Sequence, residues 1–452
     1  MRRHKLSLKL TAMMFAVAVF LTATLASAQR EITLHSFGNA TDGTGPNGSL
    51  ISDAAGNLYG TTLNGGAYEG HAVYTGTAFK LSPAKGGGWT ETILHSFGYA
   101  SDGEAPSAGL ISDASGNLYG TTVQGGGTEG CTGSTPGCGI IFQLRPPATK
   151  GGHWTEAVLY RFDNGNDGAN PQGVLTLDSS GNLYGTTNTL GGSLLSGSVF
   201  ELSPRTSGDW RISVLHIFNS NGSDGVHPTA GLTFDSSGNL YGTTYRGGSG
   251  RCVRKDGVYL GCGAVFQLSY AAGAGWTETL LHSFLGDQNG DGAAPEASLI
   301  LDRSGNLYGT TFGGGIAGER CSGIAPPGCG TVFELSPSSG EWKETILYQF
   351  LGFSADGSGP SGPLLLDPSG NLFGTTSDAG LYNYGTLFKL TADNAGWAET
   401  VLYNFGFVGD GEYPESFLLL DGSGNIYGTT SAGGPGGGTS NNGQGTVFEI
   451  TP

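Results

Sequence analysis

Leu110-Ile111-Ser112-Asp113-Ala114-Ser115-Gly116-Asn117-Leu118-Tyr119-Gly120-Thr121-Thr122 is one copy of a stretch that recurs seven times and decides the fold. Its second half, Gly-Asn-Leu-Tyr-Gly-Thr-Thr, begins at Gly56, Gly116, Gly181, Gly238, Gly305, Gly370 and Gly424, and only Phe373 and Ile426 depart from the pattern. Recurrence at 54 to 67 residues marks an array of supersecondary units, none of which buries its apolar face alone. Upstream, Leu110-Ile111-Ser112 enters a turn at Asp113. Downstream, a Gly-rich loop leads to Ile140-Ile141-Phe142-Gln143-Leu144, and a fourth segment is clearest at Trp89-Thr90-Glu91-Thr92-Ile93-Leu94-His95-Ser96-Phe97. Such short β-branched and aromatic runs, bounded by Gly, Pro, Asn and Asp, read as strands, and no capped 3.6-residue period competes with them.

Four antiparallel strands repeated seven times describe an all-β, seven-bladed β-propeller. With strands lettered a to d from the axis outward, the chain opens on an isolated d strand, Glu31 to Phe37. It closes on a c strand, Gly445 to Ile450. The first strand is therefore expected to complete the last blade and close the ring without a free edge.

Residues 1–28 read as a secretory signal peptide: a basic start (Arg2, Arg3, Lys5, Lys9), an apolar run from Leu10 to Leu25, and the small-residue site Ala26-Ser27-Ala28. The six later d strands begin at Trp89, Trp154, Trp210, Trp276, Trp342 and Trp397, and the equivalent first position is Gln29, where the mature chain would start. Removing four basic and no acidic residues takes the net charge from −17 to −21. That field argues against nucleic acid or an anionic membrane as partner. With no second apolar segment, the expectation is a secreted or periplasmic monomer, residues 29–452 forming one propeller.

The six cysteines fall in local pairs, Cys131-Cys138, Cys252-Cys262 and Cys321-Cys329, each in a b-to-c loop. In an exported chain such spacing reads as disulfides, and no Cys-x-x-Cys or neighbouring His favours a metal.

The a-to-b turns, Asp-x-x-Gly-Asn in all seven repeats, form one uniform face and read as hairpin chemistry. The opposite face carries the d-to-a connections, each Asp-Gly-x-x-Pro, from Asp42-Pro46 to Asp410-Pro414. These carboxylates either serve turns through backbone amides or ring the channel mouth as a cation-attracting funnel. One connection, Asp287-Gln288-Asn289-Gly290-Asp291-Gly292, matches the opening of a Ca²⁺ loop; Ser298 stands where the twelfth-position acid belongs, and Glu296 is the nearest stand-in. Calcium at Asp287, Asn289 and Asp291 is thus the one cofactor this sequence admits. The b-to-c loops of repeats 4 and 5 gather Tyr245, Arg246, Arg251, Arg254, Lys255 and Arg320, a basic cluster in an acidic chain. Either it is a solvated rim or it is a ligand site for an anionic sugar or carboxylate, through Arg forks and Tyr stacking. His35, His95, His216 and His282 share a d-strand position with Tyr160, Tyr348 and Tyr403, and both sets, like the serial Trp residues, read as packing.

The pattern Asp-x-x-Gly-Asn-Leu-Tyr-Gly-Thr-Thr … Gly-Gly … Gly-x-Val-Phe-x-Leu-x-Pro resembles the GloVer tandem repeat of exported bacterial proteins (a choice-of-anchor family), and all seven repeats carry it. The resemblance implies a bacterial cell-envelope or secreted protein and transfers no catalytic residue. Two functions follow as expectations. One is a non-catalytic propeller binding a glycan or protein partner on the face with the long b-to-c loops. The other is an extracellular polysaccharide hydrolase or lyase using channel-mouth acids such as Asp291 or Asp224, with His227 nearby. Near-equivalence of the repeats favours binding.

Overall fold

Every side chain of the heptapeptide has a structural task in the computed structural model. The structure describes residues 30–451 apart from 39–40, 68–74, 99–101, 128–130, 132–136, 150, 191–195, 220–223, 254–259, 287–289, 317–320, 322–326, 354–355 and 436–443. In blade 1, Gly56 takes φ +76° at the hairpin tip. Asp53 Oδ1 accepts hydrogen bonds from the amides of Ala55 and Asn57, and Oδ2 accepts from Asn57 Nδ2 (2.6 Å) and the Tyr59 hydroxyl (2.9 Å). Leu58 enters the core. Gly60 lies under the ring of Phe79, where a Cβ would come within 2.6 Å of the ring edge, so no larger residue fits. The Thr61 hydroxyl donates to the Ala108 carbonyl of the next blade at 2.8 Å, and Thr62 shares a hydrogen bond with Thr77 of its own strand c. Turn, core and seam therefore all constrain the same seven residues.

Blade 1 orders its strands Ile51–Ser52, Leu58–Thr62, Gly76–Pro83, Trp89–Phe97, and six blades follow the same antiparallel plan. The fold is all-β, with no α-helix among the described residues. In blade 7 the fourth strand is Arg30–Ser36, paired antiparallel to Thr446–Thr451 from Arg30↔Thr451 to Ser36↔Thr446. The expected closure is thus formed. The Thr429 hydroxyl reaches the Gly48 carbonyl across the closing seam, as Thr61 reaches Ala108 across an internal one.

Neighbouring blades meet through repeated contacts. The terminal Phe of each d strand packs on the strand-c Phe of the next blade: Phe97 on Phe142, Phe284 on Phe333, and, at closure, Phe37 on Phe79, with centroids 4.8–5.1 Å apart. Strand-b tyrosines meet d-strand tryptophans one blade on, as Tyr59 meets Trp154 and Tyr119 meets Trp210. Each d strand carries a β-bulge just before its His or Tyr, so that Ala78 faces His95 while Phe79 faces Ile93 and Leu94 is the extra residue. The same shift occurs in all seven c–d ladders. A bulge re-aims side chains without changing residue type. Here it turns Leu94 and Phe97 into the core while His95 stays half-buried in the seam.

All three disulfides form as expected, with Cα–Cα distances of 5.3, 5.0 and 5.2 Å for Cys131–Cys138, Cys252–Cys262 and Cys321–Cys329. They point to an oxidising environment. No described helix is long and apolar enough to cross a membrane. The proposed signal peptide, residues 1–28, lies outside the described residues.

Candidate functional site

Of the two readings of Asp-Gly-x-x-Pro, the structure bears out the turn, in which the Asp accepts from backbone amides, and not the funnel: none of these Asp lines the axial cavity. Asp42, Asp167, Asp224, Asp291, Asp356 and Asp410 are buried. Asp291 accepts from the amides of Leu285 (2.7 Å) and Gly292 (2.6 Å), Asp224 from Asn219, and Asp410 from Gly411. Their outer oxygens meet the d-strand His or Tyr: His95 Nε2 lies 2.9 Å from Asp102, and the hydroxyls of Tyr160 and Tyr403 donate to Asp167 and Asp410 at 2.9 Å. At this point the chain has not yet left the outer strand, so the carboxylate's nearest donors are there. Asp224 and Asp291, named as channel-mouth acid or base, are seam residues.

A glutamate from the next blade's d strand joins most of these pairs. His282 Nε2 lies 3.6 Å from Asp291 and 3.5 Å from Glu344, and the same trio recurs as His35–Asp42–Glu91, His95–Asp102–Glu156 and His216–Asp224–Glu278. Burial and the facing aspartate push Glu91 up to about 8. Burial pushes Glu344 up to about 7, with His282 opposing and Asp291 adding. Burial, then Asp356, raises Glu399 to about 7. Repetition disperses these groups around the ring, and Tyr takes the place of His in three seams. They hold blades together.

The axis is different. Immediately after the Pro of each connection, strand a presents Asn47, Ser107, Gln172, Thr229, Glu296, Ser361 and Glu415, one from each blade, around a cavity of about 130 Å³. Four of these side chains hold oxygen atoms shut off from solvent and without a hydrogen-bond partner among the described residues: Asn47 Oδ1, Ser107 Oγ, Thr229 Oγ1 and Ser361 Oγ. Glu296 and Glu415 stand two blades apart on this ring. Burial, then the charge of Glu415, pushes Glu296 up to about 7; burial, then Asp378, raises Glu415. The residue before each Pro sits at positive φ, including the non-glycine Ala105, Asn170, His227, Ala294 and Tyr413 at 56° to 60°. That conformation is uncommon outside glycine and turns the chain sharply into the channel wall.

Of the basic cluster, Tyr245 and Arg246 lie beside this mouth. The Arg246 guanidinium rests over the Tyr245 ring (5.1 Å), and the His227 ring packs 5.9 Å from it. Burial and the Glu296 charge raise the Tyr245 hydroxyl, and Arg246 pulls it back. Arg251 is exposed beside the Cys252–Cys262 loop. Arg254, Lys255 and Arg320, and also Asp287 and Asn289 of the half calcium motif, lie outside the described residues.

The same face carries an apolar arc. Val253, Leu285, Ile316, Leu351, Phe353, Leu381, Tyr382, Phe407 and Val408 are exposed, all on the b-to-c loops of blades 4 to 6 or the d-to-a connections beside them. Among the described residues, only Ile32 and Tyr270 of the exposed large hydrophobics lie elsewhere. The rings of Tyr382 and Phe407, from two different loops, stand 5.8 Å apart at 52°.

A family model described as the Gloeobacter/Verrucomicrobia repeat matches residues 130–320 and 319–452, more than half of the chain. No curated protein matches the sequence. Among solved structures, an oxidoreductase (glucose dehydrogenase) from Thermus thermophilus is similar at 15% identity, with a TM-score of 0.39, over 76% of this chain and 95% of that one.

Proposed function

We propose that this chain, which belongs to the Gloeobacter/Verrucomicrobia repeat family, is an exported binding propeller that docks a glycan on the face bearing its b-to-c loops. The observation that carries this reading is the concentration of exposed apolar side chains, nine of eleven among the described residues, on that face of blades 4 to 6. Large exposed apolar patches mark partner sites, and the Tyr382 and Phe407 rings, 5.8 Å apart, form such a pair here. Phe353, Tyr382 and Phe407 offer flat rings to the CH faces of sugars, and the exposed Arg251 offers a guanidinium fork for acidic substituents. The three disulfides close long loops of this same face, which supports an oxidising location outside the cytoplasm.

Electrophoresis through gels cast with neutral and acidic polysaccharides tests it. Retardation that disappears in Tyr382→Ser/Phe407→Ser supports glycan binding at the arc. Clearing of the polysaccharide replaces binding by catalysis. Unaltered mobility in every gel refutes the glycan and leaves a protein partner.

A further inference from the structure

We infer that the axial channel binds a hard divalent cation, with calcium the best match, between Glu296 and Glu415. The argument is one of donor chemistry. All seven blades contribute to the cavity, and the ring after the prolines holds two carboxylates among neutral amides and hydroxyls. Four of those neutral oxygens, on Asn47, Ser107, Thr229 and Ser361, are buried and unpartnered among the described residues. Glu296 and Glu415 are both partly buried on the wall of the one cavity, and among the described residues no hydrogen bond reaches Glu296. Two like charges on the wall of one partly enclosed channel are costly, and proteins resolve such pairs by a shared proton or a cation. A proton satisfies one carboxyl and leaves four orphan oxygens. A cation that takes six to eight oxygen ligands satisfies the carboxylates and the ring together, with water completing its shell. No imidazole or thiol belongs to the ring, which disfavours zinc and copper. This site is separate from the half calcium motif at Asp287, and it stands whether or not a glycan docks on the rim.

The test uses the mature protein with CaCl₂ and MgCl₂ in thermal unfolding at pH 8. Calcium at a hundred-fold excess over its dissociation constant should raise the midpoint by about 3 °C. Glu296→Gln and Glu415→Gln should each abolish that rise, while Asp287→Asn should retain it. The wild-type measurement needs no variant and stands even where a glutamine substitution fails to fold. An unmoved wild-type midpoint, a rise retained in both glutamine variants, or a rise lost in Asp287→Asn alone overturns the inference. Crystals soaked in calcium that show only water on the axis overturn it as well.

Discussion

Replacing Phe37 by alanine should destabilise the protein as much as replacing Phe284, although one lies at the chain's beginning and the other deep in its middle. Both rings end a d strand and pack edge-on against the strand-c Phe of the next blade, at 5.1 Å and interplanar angles of 61° and 64°. Phe37 is 5% exposed and Phe284 fully buried. Truncating a buried Phe costs about 3–5 kcal/mol, the lost transfer energy plus the cavity left behind. Unfolding entropy of about 2.1 cal/mol/K per residue over roughly 400 folded residues gives about 0.85 kcal/mol/K. Each variant should therefore lower the thermal midpoint by about 4–6 °C in scanning calorimetry, with a single transition. The premise is that the closing seam, built from Arg30–Ser36 on Thr446–Thr451, is as strong as an internal one. A shift for Phe37→Ala less than a third of that for Phe284→Ala would refute it. So would a second, earlier transition, because either outcome means that the ring opens at this seam before the blades melt.

Other substitutions follow from the same contacts. Asp113→Ala removes the acceptor of two amides, Asn117 Nδ2 and the Tyr119 hydroxyl, and should cost about 2–3 kcal/mol by urea denaturation; Tyr119→Phe should cost under about 1 kcal/mol, as the natural Phe373 implies. Stability should fall as pH rises from 5 to 8. Glu31, Glu91, Glu344 and Glu399, raised to about 7–8, keep protons that the unfolded chain releases above its ordinary carboxylate pKa, and the raised His282 acts in the same direction while the lowered His35 opposes it. One net pKa unit summed over the seams is about 1.4 kcal/mol, or about 2 °C in the midpoint, and a midpoint rising over this range would refute the assignment. Below that window the lowered turn carboxylates Asp53, Asp113, Asp235, Asp367 and Asp421 should reverse the trend, their stabilisation being lost as pH falls through their folded pKa. Tyr382→Ser/Phe407→Ser should leave the midpoint within about 1 °C, because both side chains are exposed, while removing ligand retardation.

The propeller, its closing strand, the floor turns and the disulfides were all legible because each follows from residue type at a fixed spacing. The half-buried His and Tyr positions were legible as packing, but their partners were not. His95 and Asp102 are seven residues apart, and nothing in that spacing says that a bulge at Leu94 brings them to 2.9 Å. A bulge shifts the alternation by one residue, and the adjacent apolar pair Ile93-Leu94 fits either phase of it. The turn reading of Asp-Gly-x-x-Pro was therefore legible, while the outer-strand His and Tyr that complete it were not. Glu296 and Glu415 went unrecognised as a pair for a different reason: each looks ordinary in its own repeat. The signal was present. Aligning the seven copies on the proline gives Asn47, Ser107, Gln172, Thr229, Glu296, Ser361 and Glu415, a position as variable as its neighbours are uniform. The apolar arc had no such signal, because exposure in a loop leaves no period in the sequence.

That variability follows from how the ring is held together. Within a blade, the heptapeptide commits Gly to the turn, Asn and Tyr to the aspartate, Leu to the core, the second Gly to the Phe ring, and the two Thr to the next blade and to strand c. Change at any of these positions weakens a turn or a seam, and a closed ring transmits the loss to its neighbours. Positions facing the axis after the proline, and loops projecting from one face, carry no such commitment. Both are reached through the d-to-a connections, so both lie at the same end of the molecule. Individual chemistry therefore has one place to accumulate: the end where Glu296, Glu415, Tyr245 and the exposed arc of blades 4 to 6 are found. The seven floor turns, bonded alike through Asp53 and its counterparts, offer it no comparable freedom.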